Sequence, residues 1–143
     1  MNMLISIALS QYGLKEVKGS KDHPQIINYF TSLGFDTCKL KEETSWCSVF
    51  ISWVAHQAGY EKSNYLTARS WLSVGLSPVI PKQGDVVVLW RESPDSWKGH
   101  VGFLVKESKR YVYLLGVNEG KSVSIKAFPK KRIIAYRKLR KNG

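Results

Sequence analysis

A helix that begins on a cysteine constrains this chain more than any other feature. In Thr44-Ser45-Trp46-Cys47-Ser48-Val49-Phe50-Ile51-Ser52-Trp53-Val54-Ala55-His56-Gln57-Ala58-Gly59, residues Trp46, Val49, Phe50, Trp53 and Val54 recur at steps of three and four, the apolar stripe of a buried helix. Thr44 or Ser45 can cap its start, and Gly59 suits a left-handed stop, so the helix is expected from about Ser45 to Ala58. Cys47 then falls in the first turn, where backbone N–H groups lack helical partners and the helix dipole favours negative charge. That placement suits a nucleophile. The competing reading of Cys47 is one more small buried hydrophobe.

The rest of the composition fits one globular domain over residues 1–143, with 43% hydrophobic and 12% aromatic residues to build a core. The two cysteines, Cys38 and Cys47, are too few for a disulfide scaffold and match no zinc-ligand spacing, so no metal or other cofactor is expected. A Cys38–Cys47 bridge would consume the candidate nucleophile. A net charge of +11 draws the chain to polyanions such as nucleic acid, anionic lipid or an acidic cell envelope, without choosing among them. Residues Met1 to Leu14 carry no basic leader, no long apolar core and no small-residue cleavage site. Synthesis in the cytoplasm is therefore expected, with another agent delivering the protein if it acts elsewhere. No run is long enough to span a bilayer.

Along the chain, helical patterns come first. Leu4, Ile7, Ala8 and Tyr12 predict a first helix stopping near Tyr12, before Gly13. Asp22 and Pro24 mark the start of a second, whose buried face is Ile26, Ile27, Phe30 and Leu33 and which ends at Gly34. The cysteine helix is the third, and Thr67 to Leu72 forms a short fourth closed by Gly75. Beyond Pro78 and Pro81 the runs have strand length: Asp85 to Trp90, His100 to Val105, Tyr111 to Val117, Ser122 to Phe128 and Arg132 to Leu139. Helices followed by an antiparallel sheet of about five strands make an α+β fold, with the sheet free to curl toward a barrel.

A cysteine nucleophile needs a base and a group that orients the base. Of the three histidines, His23 stands beside a helix cap, and His56 lies nine residues along the cysteine helix, about 13 Å from Cys47 along the axis. His100 opens the second strand in Gly99-His100-Val101-Gly102-Phe103, where flanking glycines permit close approach. It is the base that Cys47 can use. Asn118 or Glu119, following the neighbouring third strand, can hold the far ring nitrogen.

Ser45-Trp46-Cys47-Ser48, Pro81-Lys82-Gln83-Gly84-Asp85-Val86-Val87-Val88, Gly99-His100-Val101-Gly102-Phe103 and Gly116-Val117-Asn118-Glu119-Gly120 together resemble the ordered signature of the papain-like CHAP and NlpC-type peptidoglycan hydrolases, including small phage-lysin-like members. The resemblance runs from about Ile7 to Leu139. It implies a papain-like fold and cleavage of an amide bond in peptidoglycan, as an endopeptidase or an N-acetylmuramoyl-L-alanine amidase, with Cys47 as nucleophile, His100 as base and Asn118 as the orienting residue. Related segments carry a second glycine where Val117 stands and a glutamine where Glu119 stands, so the third role lies between Asn118 and Glu119. Gly84-Asp85 turns the chain into the first strand and stays outside the chemistry. Trp46, Trp71 and Trp97 are candidates to line the substrate groove. The basic end, Lys130 to Lys141, suits an anionic cell envelope, and the chain is expected to act as a monomer. Two other readings exist: a cysteine peptidase or acyltransferase acting on protein, and a non-catalytic basic domain binding nucleic acid, for which no recognition helix is present.

Overall fold

The computed structural model describes residues 2–14, 24–35, 46–118 and 122–142. Helix α1 (Met3–Leu9) starts at Asn2, whose side-chain oxygen accepts from the Leu4 and Ile5 N–H groups at 2.8 and 3.3 Å. It stops short of Tyr12. A turn carries the chain on to Gly13 and Leu14, which exchange backbone hydrogen bonds with Val123 at 2.9 and 2.8 Å. Helix α2 (Pro24–Ser32) buries Ile26, Tyr29 and Phe30, while the Asp22 expected as its cap lies outside the described residues.

Helix α3 (Cys47–Ala58) begins two residues later than expected. Trp46 takes the cap position and makes no side-chain cap hydrogen bond, and Thr44 and Ser45 lie outside the described residues. Gly59 ends the helix at φ 78°, the left-handed geometry foreseen for it. Every residue from Cys47 to Ala55 is buried, Ser48 and Ser52 included, so α3 is the central rod of the helical half, covered on all sides. The short helix expected at Thr67 is a 3-10 helix, Ala68–Ser73.

Strands β1 (Val86–Trp90), β2 (Gly99–Glu107), β3 (Tyr111–Asn118), β4 (Ser122–Pro129) and β5 (Ile133–Arg137) form one antiparallel sheet in the order β4-β3-β2-β1-β5. The fold is the expected α+β, although β5 is shorter at both ends than the run Arg132 to Leu139. Only the 3-10 turn Lys130–Arg132 joins the two edge strands. In a flat sheet those edges would stand about 19 Å apart, whereas four chain steps reach at most about 14 Å. The sheet must therefore curl.

Curling gives the sheet two unlike faces. Val86, Val88, Val101, Phe103, Leu115 and Val117 pack with the helices in the larger core. Val87, Leu89, Leu104, Val112, Leu114 and Phe128 make a second apolar cluster with the partly buried Ile133 and Tyr136.

Candidate active site

His100 near the start of β2 and Asn118 at the end of β3 meet across the ladder, with His100 Nε2 and Asn118 Oδ1 2.9 Å apart. The amide's orientation follows from what surrounds it. Asn118 Nδ2 donates toward Leu114 O at 3.2 Å, Ser124 O at 2.9 Å and Ser124 Oγ at 3.2 Å, so the oxygen is left facing the ring. A carbonyl oxygen only accepts. Nε2 must therefore carry the hydrogen, and in the neutral ring the lone pair lies on Nδ1. That nitrogen is buried and, among the described residues, has no hydrogen-bond partner.

Electrostatics keep the ring in this form. Burial lowers the His100 pKa to about 4; the Asn118 hydrogen bond works the other way, and the charges of Arg91, Arg132 and Lys126 add to the lowering. The imidazole is neutral at pH 7 and can accept a proton. Its ring packs on Phe128 with centroids 5.0 Å apart. A buried acceptor without a partner costs stability, as do the buried Trp46 and Trp53 indole N–H groups.

Cys47 is the first residue of α3 and a buried thiol. The next residue fixes the turn that carries it: Ser48 Oγ donates to Tyr65 O at 3.2 Å and accepts from Trp71 Nε1 at 2.9 Å. The same stretch, Tyr65 to Trp71, also abuts the strand of His100. A Cβ on Gly99 would lie 2.9 Å from Leu89 O, 3.1 Å from Arg69 Cγ and 3.6 Å from Ala68 Cβ, closeness that only glycine permits. Arg69 then clamps the β1–β2 loop by donating to Lys98 O at 2.9 Å, Pro94 O at 3.1 Å and Ser93 O at 3.3 Å. A further contact runs directly between helix and sheet, since a Cβ on Gly116 would lie 3.7 Å from Ile51 Cδ1. Ile51 is one turn along α3 from Cys47, and Gly116 is two residues before Asn118. The structure thus joins His100 and Asn118 by a hydrogen bond and packs the element bearing Cys47 against both their strands. Nδ1 makes no hydrogen bond to the Cys47 thiol, and the His100 ring lies against Phe128 of the second apolar cluster, whereas Cys47 belongs to the larger one.

Other candidates fall elsewhere. Trp46 and Trp71, expected in the groove, are core residues: Trp46 stacks on Tyr29 with centroids 6.2 Å apart, and Trp71 is fully buried with its N–H used by Ser48. Large aromatic rings next to a central helix are worth more buried than wet. Trp97 alone of the three is on the surface, 73% exposed, with Lys98 Nζ 5.8 Å from its ring centroid. His56 is exposed near the end of α3, and His23, Cys38 and Glu119 lie outside the described residues. Asp85 closes a turn by accepting from the Lys82 N–H at 2.8 Å. Sequence reasoning missed Ser48, Arg69 and Ser124. Ser124 sits on the polar side of an alternating strand, so nothing in its neighbours marks it as the anchor of Asn118.

No known family model and no curated protein matches this sequence. In structure the chain is similar to a protein from Staphylococcus aureus subsp. aureus Mu50 described as similar to a lipoprotein of the NLP/P60 family, at a TM-score of 0.53 and 17% identity. The alignment covers 98% of this chain and 41% of that one, so the chain spans about two fifths of its neighbour's length. The likeness shows an NLP/P60-like, papain-like fold.

Proposed function

We propose, from a papain-like fold of the NLP/P60 type, that this chain is a cysteine hydrolase that cleaves an amide bond of bacterial peptidoglycan through an acyl-enzyme, with Cys47, His100 and Asn118 in the roles of nucleophile, base and orienting residue. The observation that carries the reading is the fixed His100 tautomer: a buried, neutral imidazole whose Nε2–H is tied to Asn118 and whose Nδ1 lone pair is unspent. In the mechanism, Nδ1 takes the Cys47 proton and the thiolate attacks the substrate carbonyl carbon. The C–N bond then breaks as the imidazolium returns the proton to the leaving amine. Water, deprotonated by the same nitrogen, attacks the thioester, releasing the acid and restoring the thiol. By the same reading the backbone N–H of Cys47, together with another donor nearby, would hold the oxyanion. Trp97 is an exposed aromatic available to meet sugar or peptide, and the basic surface matches an anionic wall.

Purified peptidoglycan incubated with the wild type and with Cys47→Ala tests this reading, with mass spectrometry of released fragments identifying the new termini. Fragments are expected from the wild type and at least a thousandfold fewer from the variant, because the thiolate is the whole nucleophile. Wild-type yields from a folded Cys47→Ala protein would remove the enzyme reading.

A further inference from the structure

At the end of β1 away from His100, the chain between Leu76 and Lys82 forms a loop whose tip is apolar and bare. Val79 is 99% exposed and Ile80 69%, with Leu76 also exposed at its foot. Single exposed apolar residues are ordinary; two adjacent β-branched residues at a tip bracketed by Pro78 and Pro81 are less so. The prolines fix φ and lower the entropy lost when such a loop docks.

Cations stand on the same face. Leu76 and Lys138 exchange both backbone hydrogen bonds, at 2.9 and 2.7 Å, which puts Lys138 at one foot of the loop. The buried Asp85 holds the other foot through the Lys82 N–H and feels the charges of both Lys82 and Lys138. A groove of about 480 Å³ beside the loop is lined by Leu76, Asp85, Lys138, Arg140 and Lys141 among others. Among the described residues, Asp85 here is engaged in its turn and Glu61 in an ion pair with Arg140 at 2.9 Å. The face is therefore an apolar finger within a basic rim. Among the described residues no helix is long and apolar enough to cross a membrane.

We propose that this face docks onto an anionic lipid bilayer, Val79 and Ile80 entering the boundary between headgroups and acyl chains while Lys82, Lys138 and Lys141 meet lipid phosphates. A charged polymer would satisfy the lysines but offers nothing to the finger; a bilayer provides both phases within a few ångströms. Leu89 pairs with His100 while the loop's exit precedes Val86, so the docked chain presents its candidate active site at the far end of β1, about 10 Å or more from the lipid.

The test is co-sedimentation with vesicles of phosphatidylcholine alone or with about a third phosphatidylglycerol, using heparin binding as a polyanion comparison. The wild type is expected to bind the anionic vesicles and not the neutral ones. Val79→Ser/Ile80→Ser should weaken vesicle binding about tenfold or more and leave heparin binding unchanged, while Lys138→Glu/Lys141→Glu should weaken both. Val79 and Ile80 are exposed, so the melting temperature of the double-serine variant should hold. A Val79→Trp reporter should shift its emission to the blue on anionic vesicles. Equal vesicle affinity of the double-serine variant and the wild type, an unshifted reporter, or no preference of the wild type for anionic vesicles would each overturn the proposal. None of these readouts depends on catalysis.

Discussion

His100 shows what burial costs an ionisable residue. Its ring titrates near 6.5 when unfolded and near 4 in the fold, so between those values the unfolded chain binds more protons and stability rises with pH. Stability is full above 6.5 and is lost as pH falls toward 4, by about 3 kcal/mol. Urea unfolding at pH 7 and at pH 4.5 should show this loss in the wild type and a clearly smaller one in His100→Phe, which cannot titrate; equal losses would separate the pH response from His100. Asn118 is the second residue to decide. It holds the ring and is itself held by Leu114 and Ser124, whereas Glu119 lies outside the described residues. Asn118→Ala should slow turnover about ten- to a thousandfold, in the range of a misoriented base, and Glu119→Ala should cost little. The reverse ranking in pH–rate profiles would move the third role to Glu119.

At the scale of elements, the site depends on how α3 is anchored at its first turn. The Trp46 side chain makes no cap hydrogen bond, and among the described residues that turn is tied by Ser48, which bridges Tyr65 O and Trp71 Nε1 within the core. Ser48→Ala should leave a buried indole N–H unpaired and cost about 1–3 kcal/mol. Adding Trp71→Phe, which removes the orphaned donor, should recover part of the loss in a double-mutant cycle; purely additive costs would show that the Ser48–Trp71 bond does not hold the turn. The helix itself was legible, because an apolar stripe ending in glycine has few other solutions. Its true start was not, since a cap at Trp46 has no polar signature. The 3-10 form of Ala68–Ser73 was equally hidden: its geometry answers to the contacts that Trp71 and Arg69 make with distant segments.

Over the whole molecule, the charge of +11 is spread on a surface whose basic end is also structural. Arg140 pairs with Glu61, and Asn142 N–H donates to Gly59 O at 2.8 Å, so cutting the chain after Leu139 would remove ties as well as charge. Replacing Lys131, Lys138 and Lys141 by glutamine removes charge from exposed positions instead. Adsorption to walls should weaken severalfold at low salt and converge with the wild type near physiological strength, while turnover of small soluble fragments stays within about twofold. Salt-independent adsorption of the wild type would exclude attraction by charge. What the sequence determined by itself was local: strand and helix periodicity, the stop at Gly59 and the α+β order. These follow from neighbours within a few residues. Which tryptophans are wet, which serine holds Asn118, which ring nitrogen of His100 carries the hydrogen and where the cations gather were decided only in the fold. Each depends on partners brought together by sheet pairing and helix packing, and a pattern of adjacent residues carries no record of them.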